Sequence, residues 1–183
     1  MKGLVVRLAA PLQRDSIVDG EGLRMVIWFQ GCPHHCKGCH NPKSHEMNEG
    51  TEVKLSEIKE AIENLKHHDG ITFSGGEPMA QPEALLTIIN FAKENKLNIW
   101  CYSGYTFEQI LEMSKTNSIY LHILKLIDVL VDGPFIFEEK SMNIKFRGSK
   151  NQRIIDSKKS LKANKPVLIQ KYRKEKKVKV SLY

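Results

Sequence analysis

The chain lacks any run of 18 apolar residues and so offers no candidate transmembrane helix. Its first residues, MKGLVVRLAAPLQRDS, are broken by Arg7 before a signal-peptide core can develop. No repeat of fixed period and no low-complexity tract occurs, which excludes solenoid and propeller architectures. Cysteine is scarce: three of the four fall between Cys32 and Cys39, and Cys101 stands alone. Secreted scaffolds spread their cysteines in disulfide pairs, so this usage points to metal or redox chemistry. These absences together give the expectation of a soluble, cytoplasmic protein without membrane contact.

What is present fits one globular domain. At 183 residues, 41% hydrophobic and 8% aromatic, the chain is long enough to bury a substantial core, and a single domain is expected over residues 1–183. Lys and Arg number 28 against 21 Asp and Glu, a formal charge of +7. The most basic segment lies in the tail, residues 170–183. Such a run is ordinarily a solvated end, and a positive surface also steers acidic partners.

The hydrophobic pattern alternates between two periods. Arg24 to Gln30 reads as a strand. Leu55, Ile58, Ile62 and Leu65 recur at helical spacing, and Gly70 to Phe73 reads as a second strand. Pro82 suits the first turn of a helix whose apolar face includes Leu85, Leu86, Ile89 and Ala92. Leu97 to Tyr102 forms a third expected strand, and Thr106 with Gln109 has the spacing of a capping box that opens another helix. Leu126 to Val131 supplies a fourth strand, ending at Asp132-Gly133-Pro134. Strands separated by helices imply an α/β fold with parallel β/α units. The chain is too short for eight such units, so the expectation is a partial (β/α) barrel or curved, mostly parallel open sheet.

The unusual residues follow the strands. Cys32 to Cys39, Ser74 to Pro78, Ser103 to Tyr105 and Asp132 to Pro134 each begin where an expected strand ends, the edge at which β/α folds build their sites. The spacing Cys32-x3-Cys36-x2-Cys39 lets one loop present three soft thiolates to one centre. On this loop alone two readings stand: a zinc site completed by His34, His35 or His40, or an iron–sulfur cluster. In the cluster reading Cys101, mid-strand, is a buried core thiol, and one iron lacks a local protein ligand. Ser74-Gly75-Gly76-Glu77-Pro78 brings paired glycines, which allow close approach of a ligand to the main chain, beside a carboxylate able to accept from a cationic amino group. Alone this run also reads as a tight turn. The pair of motifs, in this order and placement, favours the cluster.

Cys32, Cys36 and Cys39 with Gly75 to Pro78 resemble the cluster and cofactor motifs of radical S-adenosylmethionine enzymes. The resemblance implies a fold of the radical S-adenosylmethionine type with the cluster loop after its first strand. It further implies a [4Fe–4S] cluster on the three cysteines, with S-adenosylmethionine chelating the open iron and cleaved reductively to methionine and a 5′-deoxyadenosyl radical. Ser16 to Arg24 and Cys39-His-Asn-Pro42 resemble the corresponding runs of glycyl-radical activating enzymes. Tyr102 to Phe107, Val129 to Phe135 and Phe146 to Asp156 are similar to those that activate anaerobic ribonucleotide reductase, so the match runs over residues 16–156.

By that resemblance the substrate is a glycine Cα hydrogen in the large reductase subunit, and a flavodoxin or ferredoxin-type protein supplies the electron. Cofactor contacts are then expected at Gly38, His40, Ser74, Gly75, Gly76, Glu77 and Asp132. Gly38 departs from the family, which often has an aromatic before the last cysteine, and its backbone with the His40 ring is the expected replacement beside adenine. Asp132 also reads as part of a plain turn, and Tyr105 as packing. Arg147, Asn151 and Arg153 read either as cofactor or partner contacts or as exposed loop residues. The competing functions are activation of another glycyl-radical enzyme of the pyruvate formate-lyase type, radical chemistry on a small molecule, and a zinc-knuckle nucleic-acid binder. The last leaves the β/α alternation and the Gly-Gly-Glu-Pro run unexplained.

Overall fold

The computed structural model describes residues 4–173, so residues 174–183 of the basic tail lie outside it. Two short strands, β1 (Val5–Leu8) and β2 (Gln13–Ser16), precede β3 (Arg24–Phe29), the first strand that the sequence pattern reveals. Then come β4 (Thr51–Lys54), α1 (Leu55–Glu63), β5 (Gly70–Gly75), α2 (Pro82–Glu94), β6 (Asn98–Ser103) and α3 (Phe107–Thr116). The series ends with α4 (Ile119–Leu126), β7 (Val129–Asp132), β8 (Arg153–Asp156) and α5 (Ser157–Ala163). The cysteine loop therefore follows the third strand of the chain. It is nevertheless the first strand of the parallel set.

That set is β3-β5-β6-β7, paired parallel in this order. Antiparallel strands bound it: β8 on the β7 side, and β1 and β2 along the free side of β3, with β4 outside β1. β2 pairs with the beginning of β3 and β1 with its last residue, so two four-residue strands share one edge. Strands this short place two residues on each face, too few for a periodic signal. The architecture is thus mixed α/β around a largely parallel sheet, with five helices among the described residues.

The two faces of the sheet are both covered, which is why the parallel strands read as continuous apolar runs. Ile71, Phe73, Ile99, Cys101 and Leu130 join the helices in the main core with Ile58, Ile62, Leu85, Ile88 and Ile123. Their alternate neighbours Trp100, Val129 and Val131 pack on the other face with Ile154 and Tyr172. The helix signals are local. Pro82 opens α2, and at α3 the Thr106 hydroxyl accepts from the Gln109 amide while the Gln109 side chain accepts from the Thr106 amide. The expected fourth strand begins three residues late, because Leu126 closes α4, whose buried Ile123 and Leu124 stand at helical spacing from the buried Ile127 just beyond it.

Candidate metal and cofactor site

The registers Phe29 with Gly75 and Ser103 with Asp132 bring the carboxyl ends of the four parallel strands to one edge of the sheet. Gly31 leaves β3 with φ +89°, a conformation open to glycine, and its amide donates to the Ser44 carbonyl while the Cys32 amide donates to His45. Gln30 ties the base of the loop by donating to the Lys43 and Glu46 carbonyls. Within it the Cys39 amide donates to the Cys36 carbonyl, and the Asn41 amide reaches the Cys39 sulfur at 3.4 Å.

Beside it, Gly75 turns off β5 with φ +98°; the Gly76 amide donates to the Phe29 carbonyl and the Glu77 amide to the Gly31 carbonyl. The Glu77 carboxylate is fully buried. One oxygen accepts from the Met79 amide and the Ser103 hydroxyl, and the other from the Gly104 amide at 2.8 Å and faces the His34 ring nitrogen Nε2 at 2.9 Å. Glu77 thereby joins the cysteine loop to the ends of β5 and β6.

Above this floor lies a cleft of about 430 Å³. Cys32, Cys36, Cys39, His40, Ser74, Gly75 and Gly76 all line it, together with Tyr102, Ser103, Phe135 and Phe146. A larger cavity, about 740 Å³, opens at the opposite, amino edge of the sheet around Arg24, Asp69, Asn98 and Val129, and neither the cysteines nor Ser74 to Pro78 line it. The cysteines and the glycine pair therefore share the smaller opening.

All four cysteines are free thiols, and Cys101 is fully buried away from the cleft. Burial pushes the Cys32 thiol up, against a hydrogen bond from the His34 amide that lowers it. A metal bound at this sulfur would displace a proton from it. Among the described residues no three His, Cys, Asp or Glu side chains converge closely enough for one metal ion. A cubane cluster takes each ligand at a different corner, and the three cysteines that line this one cleft could supply three of them.

Gly38, Glu77 and Asp132 do not line the cleft. Gly38 has φ +71°, and a Cβ there would meet the Phe137 ring at 2.4 Å. The His40 ring instead packs against Phe135, centroids 5.0 Å apart. Asp132 is buried in the fold: its carboxylate accepts from the Phe107 amide at the start of α3 and pairs with Arg153, whose guanidinium also holds Glu108. Tyr105 packs edge-on against His34, centroids 4.4 Å apart. The Asn151 amide donates to the Pro134 carbonyl, and Arg147, at the cleft wall, donates to the Gln152 and Tyr172 carbonyls. No periodic signal marks Phe135 or Phe146, which face the cleft from the irregular segment after β7.

Comparison with known proteins decides the family. Residues 18–155 match the sequence profile of the 4Fe-4S single cluster domain. An anaerobic ribonucleoside-triphosphate reductase-activating protein from Pasteurella multocida is 33% identical over 146 residues, covering 75% of this chain and 89% of the relative. The chain belongs to that family. The Haemophilus influenzae activating protein is also 33% identical, with 75% of this chain and 90% of the relative covered. Enterobacteria phage T4 carries a further member, 32% identical over 76% of this chain and 87% of its own length. The span matched by the 4Fe-4S single cluster domain begins ahead of β3 and ends within β8, so it contains the whole carboxyl edge of the parallel sheet. No helix among the described residues is long and apolar enough to cross a membrane.

Proposed function

We propose that this protein activates an anaerobic ribonucleotide reductase by generating a glycyl radical in it, using a [4Fe–4S] cluster and S-adenosylmethionine. The observation that carries the reading is the shared cleft: Cys32, Cys36 and Cys39 line it together with Ser74, Gly75 and Gly76. The donor set fits both groups. Three thiols serve three irons, and the cleft of about 430 Å³ that Ser74, Gly75 and Gly76 also line has room for a small zwitterion at the end of β5. Bound there, the two groups supply reductive cleavage of a sulfonium and a radical able to take a glycine Cα hydrogen.

The chain's own residues position and shield. Cys32, Cys36 and Cys39 hold the cluster; Ser74 to Gly76 present the β5 terminus to the amino acid portion of the cofactor, and Glu77 braces that terminus from below. His40 with Phe135 offers an apolar wall for adenine. The parallel strands β3, β5, β6 and β7 with their antiparallel borders form a partial barrel of the radical S-adenosylmethionine type, one domain with its motifs within 16–156. Its open side accepts a loop of the large reductase subunit, and the positive charge of the chain suits an acidic flavodoxin or ferredoxin-type donor.

The test is anaerobic reconstitution with iron and sulfide, followed by reduction and low-temperature EPR with and without S-adenosylmethionine. A [4Fe–4S]⁺ signal that shifts on adding S-adenosylmethionine, then a glycyl doublet once the reductase is added, is expected. A colourless protein with one tight zinc, or a cluster indifferent to S-adenosylmethionine, would refute the reading.

A further inference from the structure

A buried polar tie from the cysteine loop to the sheet edge is made by a residue between the cysteines. His34 lies two residues after Cys32 and two before Cys36. Its ring nitrogen Nε2 meets the fully buried Glu77 carboxylate at 2.9 Å, with the His34 side chain itself 17% exposed. The other side-chain ion pair from this loop, Lys37 with Glu138, is exposed on both sides and correspondingly weak.

The slot that receives the ring is built for it. A Cβ on Gly104 would lie 2.3 Å from His34 Cδ2, so only glycine at that position admits the imidazole. Tyr105 closes the other side, its ring edge-on to His34. Immediately afterwards the main chain turns through φ +46° at His35. A left-handed residue other than glycine costs about 1 kcal/mol and persists only where its surroundings hold it. The anchored ring holds this one, and the turn carries the chain on to Cys36.

We infer that His34 is the positioning residue of the cluster loop: by donating from Nε2 to Glu77 through the slot left by Gly104, it fixes where Cys32 and Cys36 stand above the sheet edge. The inference rests on the proposed role of the three cysteines as cluster ligands. His34 in this role binds no iron. It acts as an outer partner that sets the geometry of the sulfurs, the kind of contact whose loss weakens metal binding on the order of tenfold or more.

Three variants of the full chain separate this role from simple packing. His34→Phe keeps a ring in the slot and removes the donor; His34→Gln keeps a donor and removes the ring; Gly104→Ala keeps the histidine and expels it. The measurements are the rate of iron loss from the reconstituted cluster to a chelator, the g-values of the reduced cluster without S-adenosylmethionine, and the thermal midpoint of the metal-free protein. Expected for His34→Phe and Gly104→Ala is iron loss on the order of tenfold faster with shifted g-values, whatever modest fall the metal-free midpoint shows from the lost buried contact. Expected for His34→Gln is recovery of both cluster properties.

Wild-type iron retention and g-values in His34→Phe or Gly104→Ala would overturn the inference. So would equal cluster loss in His34→Phe and His34→Gln with lowered metal-free midpoints, which makes His34 a packing residue. A failure of the ligand assignment is distinguishable, because then Cys36→Ala itself would keep the cluster.

Discussion

Gly31 and Gly76 meet backbone to backbone: a Cβ built on Gly76 would lie 2.4 Å from the Gly31 carbonyl oxygen and 2.9 Å from that of Ser44. The same Gly31 carbonyl accepts from the Glu77 amide, so the cysteine loop and the Gly-Gly-Glu-Pro run are joined at the main chain before any side chain is considered. This contact makes the two motifs one site.

Its removal gives the first prediction. Gly76→Ala stiffens the unfolded chain, a gain of about 0.4–1 kcal/mol, but it forces a methyl group into two carbonyls, where overpacking costs about 1–3 kcal/mol. The clash wins. Denaturant titration of the metal-free protein is expected to show net loss of stability, and reconstitution to give less iron per chain. A variant as stable as wild type would mean that the loop moves aside freely.

Cys36→Ala is expected to abolish cluster assembly and, with it, reductive cleavage of S-adenosylmethionine, since the other two cleft cysteines offer ligands for two irons only. Iron and sulfide content with visible absorption reads the first effect, and methionine release from S-adenosylmethionine under reduction reads the second. Reductive cleavage that persists in this variant would remove Cys36 from the ligand set.

Much of this site is legible in the sequence because its parts are contiguous. Cys32 to Cys39 and Ser74 to Pro78 are short motifs whose side chains and glycines act within a few residues of one another, and β3, β5, β6 and α3 announce themselves through apolar runs and a capping box. What stays hidden is pairing across the chain. Asp132 reads as a strand-end site residue, yet its partner Arg153 stands 21 positions later and Glu108 lies on another element. Glu77 reads as a ligand for an amino group, whereas the fold also sets His34, Ser103 and Gly104 around it. Four-residue strands such as β1 and β2 are invisible for a different reason: they carry too few residues to display a period.

Cys101→Ala is expected to keep a full cluster. The thiol is completely buried between the strand and its helices, burial pushes it well up from its ordinary value, and it lines no part of the cleft. Losing the sulfur removes about one methylene's worth of packing, a cost of about 1 kcal/mol in the unfolding free energy. Iron content equal to wild type with slightly lower stability is the expected pair of results; loss of iron would bring Cys101 into the site.

The ion pair of Glu108 with Arg153 makes stability depend on acid. Hydrogen bonds from Arg153 lower the Glu108 carboxyl from 4.5 to about 2, against a small opposing effect of burial. A carboxyl that is more acidic in the folded state stabilises fully above its unfolded value and loses that contribution as the pH falls from 4.5 toward about 2. The Glu108 side chain is 54% exposed, so solvent and salt screen the pair and the contribution is small. Glu108→Gln holds no titrating charge there. Denaturant midpoints of the metal-free protein are expected to favour wild type at neutral pH, and the gap is expected to narrow as the pH falls below 4.5, to close only toward about pH 2, and to shrink at high salt. A gap that stays constant from neutral to acid conditions would show that Arg153 is held by Asp132 alone.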